Sequence, residues 1–137
     1  MIKIGLDLHG VVDTFPEKFA ELAVSIVESG GEVHIITGLI RDEKIENQLT
    51  EWGVPFTHYF SIVDELIYQG EHIDWVDDLP YADKEKWDAA KSIYCKEKGI
   101  DFMIDDSPRY AESFDDIDTT YLQLRNIDRK IYSVRKK

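Results

Sequence analysis

Along the chain, short apolar runs alternate with stretches in which apolar residues recur every three or four positions. Residues 2–6 form an apolar run broken by one lysine and read as a buried strand. Phe15, Phe19, Leu22 and Ile26 then keep helical spacing until Gly30-Gly31, with Thr14-x-x-Glu17 as a capping box and Pro16 in the first turn. A second strand is expected at 33–37. A second helix follows from about Asp42, with Ile45, Leu49 and Trp52 on one face and Gly53 and Pro55 to end it. Residues 56–63 read as a third strand, whereas 64–82 show no clear period and are expected to hold a short helix and a small excursion ending at Leu79-Pro80. Asp83 is placed to cap another helix, on which Trp87, Ala90 and Tyr94 share a face and Gly99 closes the end. Strands at 100–104 and 119–124 flank a short helix at 108–114.

This alternation predicts an α/β fold: a three-layer, Rossmann-like core with a five-stranded, mostly parallel sheet and helices on both faces. Residues 1–124 make one such domain and 125–137 a basic tail. The segment between the first strand and first helix, and the stretch 64–82, are both too short for a large cap domain. In sheets of this kind ligands sit beyond the carboxyl ends of the strands. Asp7, Thr37 and the pair Asp105-Asp106 each stand where a strand ends, and Gly10 and Gly38 let the backbone turn tightly beside them. Taken singly, each has a plainer use as a helix cap or turn residue. Together they gather carboxylates, a hydroxyl and backbone donors at one edge. Crowded carboxylates repel one another unless a cation intervenes, and Mg²⁺ takes oxygen ligands from one or two carboxylates and a bound phosphate.

Charge narrows the classes of partner. The net charge is −12, yet from Arg125 onward six basic residues face one acid, Asp128, which leaves 10 basic against 27 acidic side chains before it. Such a body repels long polyanions, so nucleic acid is a disfavoured partner. The tail has three open uses: folding over the acidic body, self-association, or staying solvated. No apolar run reaches 18 residues, so no membrane partner is expected. Cys95 is the only cysteine, which excludes an internal disulfide and suits a reducing cytoplasm. His34, His58 and His72 are scattered without metal-ligand spacing, Asp13 belongs to the start of the first helix with contact to metal-bound water as its alternative, and Trp75, Tyr81 and Trp87 are candidates to line a pocket.

Three segments carry a resemblance. GLDLHGVVD at 5–13, HIITG at 34–38 and FMIDDSP at 102–108 resemble, in order, the first, second and fourth motifs of the haloacid dehalogenase-like (HAD) phosphatase superfamily. Lys86 is the candidate for the third-motif lysine, with Lys84 and Lys91 as rivals that spacing does not separate. The resemblance implies a HAD-like core and a phosphomonoester hydrolase in which Asp7 is the nucleophile and forms an aspartyl-phosphate. It implies that Thr37, Gly38 and Lys86 bind the phosphoryl group, and that Asp105 and Asp106 hold Mg²⁺ with Asp7 and the carbonyl oxygen of His9. The family places an acid–base aspartate where this chain has His9. An imidazole also holds and gives a proton near neutral pH, so His9 is the candidate acid–base group. The fourth motif resembles the deoxyribonucleotidase-like branch, which implies a nucleotide or other small phosphate ester. The lack of a cap implies an open site, large substrates, or covering by a second copy in a homo-oligomer. Two other classes remain: a catalytically impaired phosphate-binding or assembly protein on the same fold, and a receiver-like phosphoacceptor. The latter is disfavoured because the acidic pair follows the fourth main strand and the single aspartate the first.

Overall fold

Alternating apolar residues on each strand send side chains to both faces of a central sheet, which is why helices cover both. The computed structural model describes residues 1–125, so the tail expectation, Arg125 apart, lies outside them. The five main strands are β1 (Lys3–Leu6), β2 (Glu32–Thr37), β3 (His58–Ser61), β6 (Phe102–Asp105) and β7 (Thr120–Gln123), in the spatial order β3-β2-β1-β6-β7. Every neighbouring pair is parallel. The helices are α1 (Pro16–Glu28), α2 (Glu43–Trp52), α3 (Ile62–Tyr68) and α4 (Lys84–Lys98), with a 3₁₀ helix at Pro108–Phe114.

The two faces bury separate clusters. Ile4, Leu6, Val33 and Ile35 pack with Phe19, Ala23 and Ile26 of α1 and Leu49 of α2. On the other side Ile36 and Met103 meet Leu66 of α3, and Trp87, Tyr94 and Cys95 of α4. Ile35 and Ile36, adjacent in sequence, enter opposite clusters, as a pleated strand covered on both faces requires. The result is the expected three-layer Rossmann-like fold, with no large cap among the described residues.

Three local expectations need correction. The Thr14 capping box does not form. Backbone bonds from Thr14 and Phe15 to the Val11 carbonyl hold Thr14 inside a preceding turn, and α1 starts at Pro16 without a side-chain cap. Its inner face uses Ala23, while Leu22 is exposed. The strand expected over 56–63 stops at Ser61, whose hydroxyl accepts from the Asp64 N–H and starts α3, so Ile62 and Val63 are buried on a helix. The obscure stretch holds α3 and a hairpin, β4 (Asp74–Val76) with β5 (Leu79–Tyr81). Its two-residue turn puts Asp77 and Asp78 at φ 51° and 63°, a left-handed pair that matches the twist of the strands.

Candidate functional site

Because the main strands are parallel, their last residues reach one edge together. Asp7 leaves β1 with its N–H bonded to the Ile104 carbonyl at 3.1 Å, which fixes the nucleophile candidate beside the end of β6. Asp105 is the last residue of β6 and fully buried, and its carbonyl accepts from the Leu124 N–H at 2.7 Å. Its Oδ1 accepts from the Ser107 N–H at 3.1 Å. One carboxylate oxygen from each of Asp7, Asp105 and Asp106 lies within 4.8 Å of the others. Asp106 packs against Gly10: a Cβ there would lie 2.0 Å from Asp106 Oδ2, and Gly10 sits at φ +82°. Only a glycine accommodates both conditions.

The lysine at this cluster is Lys91, not Lys86. Lys91 Nζ is 2.7 Å from Asp105 Oδ2 and 3.3 Å from Asp7 Oδ1, with its side chain 2% exposed. Lys86 is exposed and pairs with Glu71, and its neighbour Lys84 pairs with Asp88 at 2.6 Å. Both point away because α4 turns the 91 position inward, four residues after buried Trp87. Lys91 is therefore the phosphoryl-binding candidate on geometry.

Lys91 lies between two of the three clustered carboxylates, those of Asp7 and Asp105. Burial pushes the Asp7 carboxyl up to about 7; Lys91 opposes this, while Asp105 and Asp106 add to it. Burial would lower the Lys91 ammonium, but the carboxylates of Asp7 and Asp105 outweigh it and hold the group above its ordinary value. Converging hard oxygen donors are the chemistry that fits a divalent ion such as Mg²⁺. Spacings within 4.8 Å need only a small contraction around an ion that binds at about 2.1 Å.

The cluster opens into a cavity of about 660 Å³ that Thr37, Gly38, Trp87 and Arg109 also line. The Thr37 hydroxyl accepts from the Leu39 N–H at 3.3 Å, and Trp87 packs so closely under Gly38 that a Cβ would lie 2.9 Å from its ring. His9 lines the same cavity with an exposed side chain, its Nδ1 3.0 Å from Asp13 Oδ2. Asp13 does not start α1, which begins at Pro16: it clamps the preceding turn by accepting from the Gly10 N–H at 2.8 Å and by holding His9. Of the three pocket aromatics, Trp87 lines the cavity; Trp75 and Tyr81 are exposed on the hairpin, and Pro80 between them reaches the cavity instead. Arg109, which sequence reasoning missed, is the second residue of the 3₁₀ helix and lines the outer part of the cavity with a half-exposed side chain.

The fold and the site thus define an α/β protein with an acidic, lysine-bearing pocket at the carboxyl edge of a parallel sheet. No family model and no curated protein matches the chain. Among solved structures it is similar to an uncharacterised protein from Corynebacterium glutamicum, at 12% identity and a TM-score of 0.55, over 99% of this chain and 93% of that one. At that identity the likeness concerns the fold. No helix among the described residues is long and apolar enough to cross a membrane.

Proposed function

We propose that the protein is a Mg²⁺-dependent phosphomonoester hydrolase of the HAD type that works through an aspartyl-phosphate on Asp7. One observation carries the reading: oxygens of Asp7, Asp105 and Asp106 converge within 4.8 Å beside buried Lys91, at the floor of an open cavity. Asp7, Asp105, Asp106 and the His9 carbonyl would hold the ion, which when bound supplies charge neutralisation for the carboxylates and the phosphoryl oxygens.

Asp7 attacks phosphorus while the ester oxygen leaves. Lys91 and the Thr37 hydroxyl bind phosphoryl oxygens. The leaving oxygen takes a proton from His9 Nε2, because Asp13 occupies Nδ1. Water then attacks the aspartyl-phosphate, His9 takes its proton, and phosphate departs with Asp7 restored. The substrate is a small phosphate ester, with nucleotides first among candidates, and the protein acts in the cytoplasm.

A screen of phosphomonoesters with Mg²⁺, run beside Asp7→Asn, tests this. We expect turnover by the wild type and a loss of about 10³-fold or more in the variant. A wild type without turnover overturns the hydrolase. The second reading, a metal- and phosphate-binding protein, is favoured by one fact: the His9 side chain is 73% exposed, more solvated than an acid–base group at phosphorus requires. Mg²⁺ binding without turnover supports it.

A further inference from the structure

We infer that Arg109 forms a second anion subsite, so that the ligand of this pocket is a phosphomonoester bearing another anionic group, phosphoryl or carboxylate, a few atoms from the first. The inference rests on the hydrolase reading for which group reacts, and on the geometry of the pocket mouth for the rest.

Lys91 is consumed by the acids at the floor, so it serves only the phosphoryl group that enters there. Arg109 is the arginine lining the cavity outside that cluster. It is held in place from three directions. Its Nε donates to Asp88 of α4, its own N–H donates to the Ser107 hydroxyl at 3.1 Å, and its guanidinium carbon lies 5.8 Å from the centre of the Tyr110 ring. Neither terminal guanidinium nitrogen hydrogen-bonds among the described residues, so the fork is pre-positioned with donors to spare. Asp88 also binds Lys84, so this corner carries two cations against one acid, in a chain of net charge −12. In such a field a multiply charged anion needs local cations to be held at all.

Tyr110 also sets the spacing. Lys91 Nζ lies 4.4 Å from the same ring centre, which puts the two cations within about 10 Å of each other. That span fits two anionic groups joined by a short chain. It does not fit a long polymer, which the acidic body repels.

Calorimetry on Asp7→Asn with Mg²⁺ tests the subsite without turnover. The probes are butane-1,4-diol monophosphate, its bisphosphate, and the matching ω-carboxylate phosphate. We expect the bisphosphate or the carboxylate to bind about tenfold or more tighter than the monophosphate, and the tighter of the two identifies the second group. Adding Arg109→Gln should bring that ratio to within twofold of one, while adding Lys84→Gln should leave it above about fivefold. No preference, a preference that survives Arg109→Gln, or an equal loss with Lys84→Gln overturns the assignment. Turnover of the same probes by the wild type reads the hydrolase separately. Preference without hydrolysis sinks the hydrolase and keeps the subsite, and hydrolysis without preference does the reverse.

Discussion

Two clusters among the described residues bring metal-binding residue types together, and they are built for different things. Asp7, Asp105 and Asp106 form one; Glu32, His34 and His58 form the other, each with ligand atoms within 4.8 Å of one another. In the second, demands are met internally. Buried His34 places Nε2 2.8 Å from Glu32 Oε1 and Nδ1 2.6 Å from the Tyr94 hydroxyl. Burial lowers the His34 pKa although Glu32 opposes it, which keeps the ring neutral, so it donates through Nε2 and accepts from Tyr94. His58 stacks on it with centroids 4.1 Å apart and planes 4° from parallel. Lone pairs on parallel rings point side by side and do not converge on one ion. In the first cluster Lys91 joins Asp7 and Asp105, and the acids face a cavity. Proximity of ligand types is shared; a set of carboxylates lining an open cavity is not. That difference marks the functional edge.

The comparison breaks most sharply at Gly10. Gly10→Ala drives a methyl into the Asp106 carboxylate, and we expect Mg²⁺-dependent turnover to fall about 100-fold, since displacing a positioned group by about 1 Å has that effect. Turnover within threefold of wild type would show that Asp106 is dispensable. At the other cluster, His34→Ala should cost about 2–3 kcal/mol of stability in urea unfolding, through lost packing and an orphaned Tyr94 hydroxyl, with turnover within a few-fold of wild type. A collapse of activity at unchanged stability would reverse the roles assigned to the two.

A third effect depends on pH. The folded Asp7 carboxyl titrates near 7, above its ordinary value, so the folded state prefers the protonated form. The destabilisation is therefore absent well below pH 4, grows as pH rises from about 4, and levels off above about 7. Without metal, Asp7→Asn should melt several degrees above wild type at pH 8, by up to about 4 kcal/mol, with most of that gap lost by pH 4. A gap that does not change with pH would mean Asp7 is not strained by its neighbours. Smallest of all, Lys86→Gln should leave turnover within twofold, because that side chain stands in solvent beside Glu71. A tenfold loss would return it to the site.

The strand-end residues were legible because two simple rules meet on them. Apolar runs locate the strands, and parallel strands present their carboxyl ends together, so Asp7, Thr37 and Asp105 share an edge. The lysine was harder. Trp87, Ala90 and Tyr94 define an inward face whose centre lies nearly midway between Lys86 and Lys91; adding Cys95, fully buried, turns it toward Lys91. That residue was the available signal. Arg109 gave none, because its partners Asp88 and Tyr110 come together only in the folded chain. The histidine cluster was illegible for the same reason, since His34 and His58 meet through the register of β2 with β3. The hairpin hid because its turn uses Asp77-Asp78 in a conformation usually announced by glycine.

The bond from the Leu124 N–H to the Asp105 carbonyl gives the last strand an unexpected duty. An outermost strand is commonly the safest place to trim a protein or to join a fusion. Here a cut before residue 124 would release the backbone of a carboxylate at the centre of the site. Any shortened version should keep that residue, and a fusion partner is better attached at the opposite end.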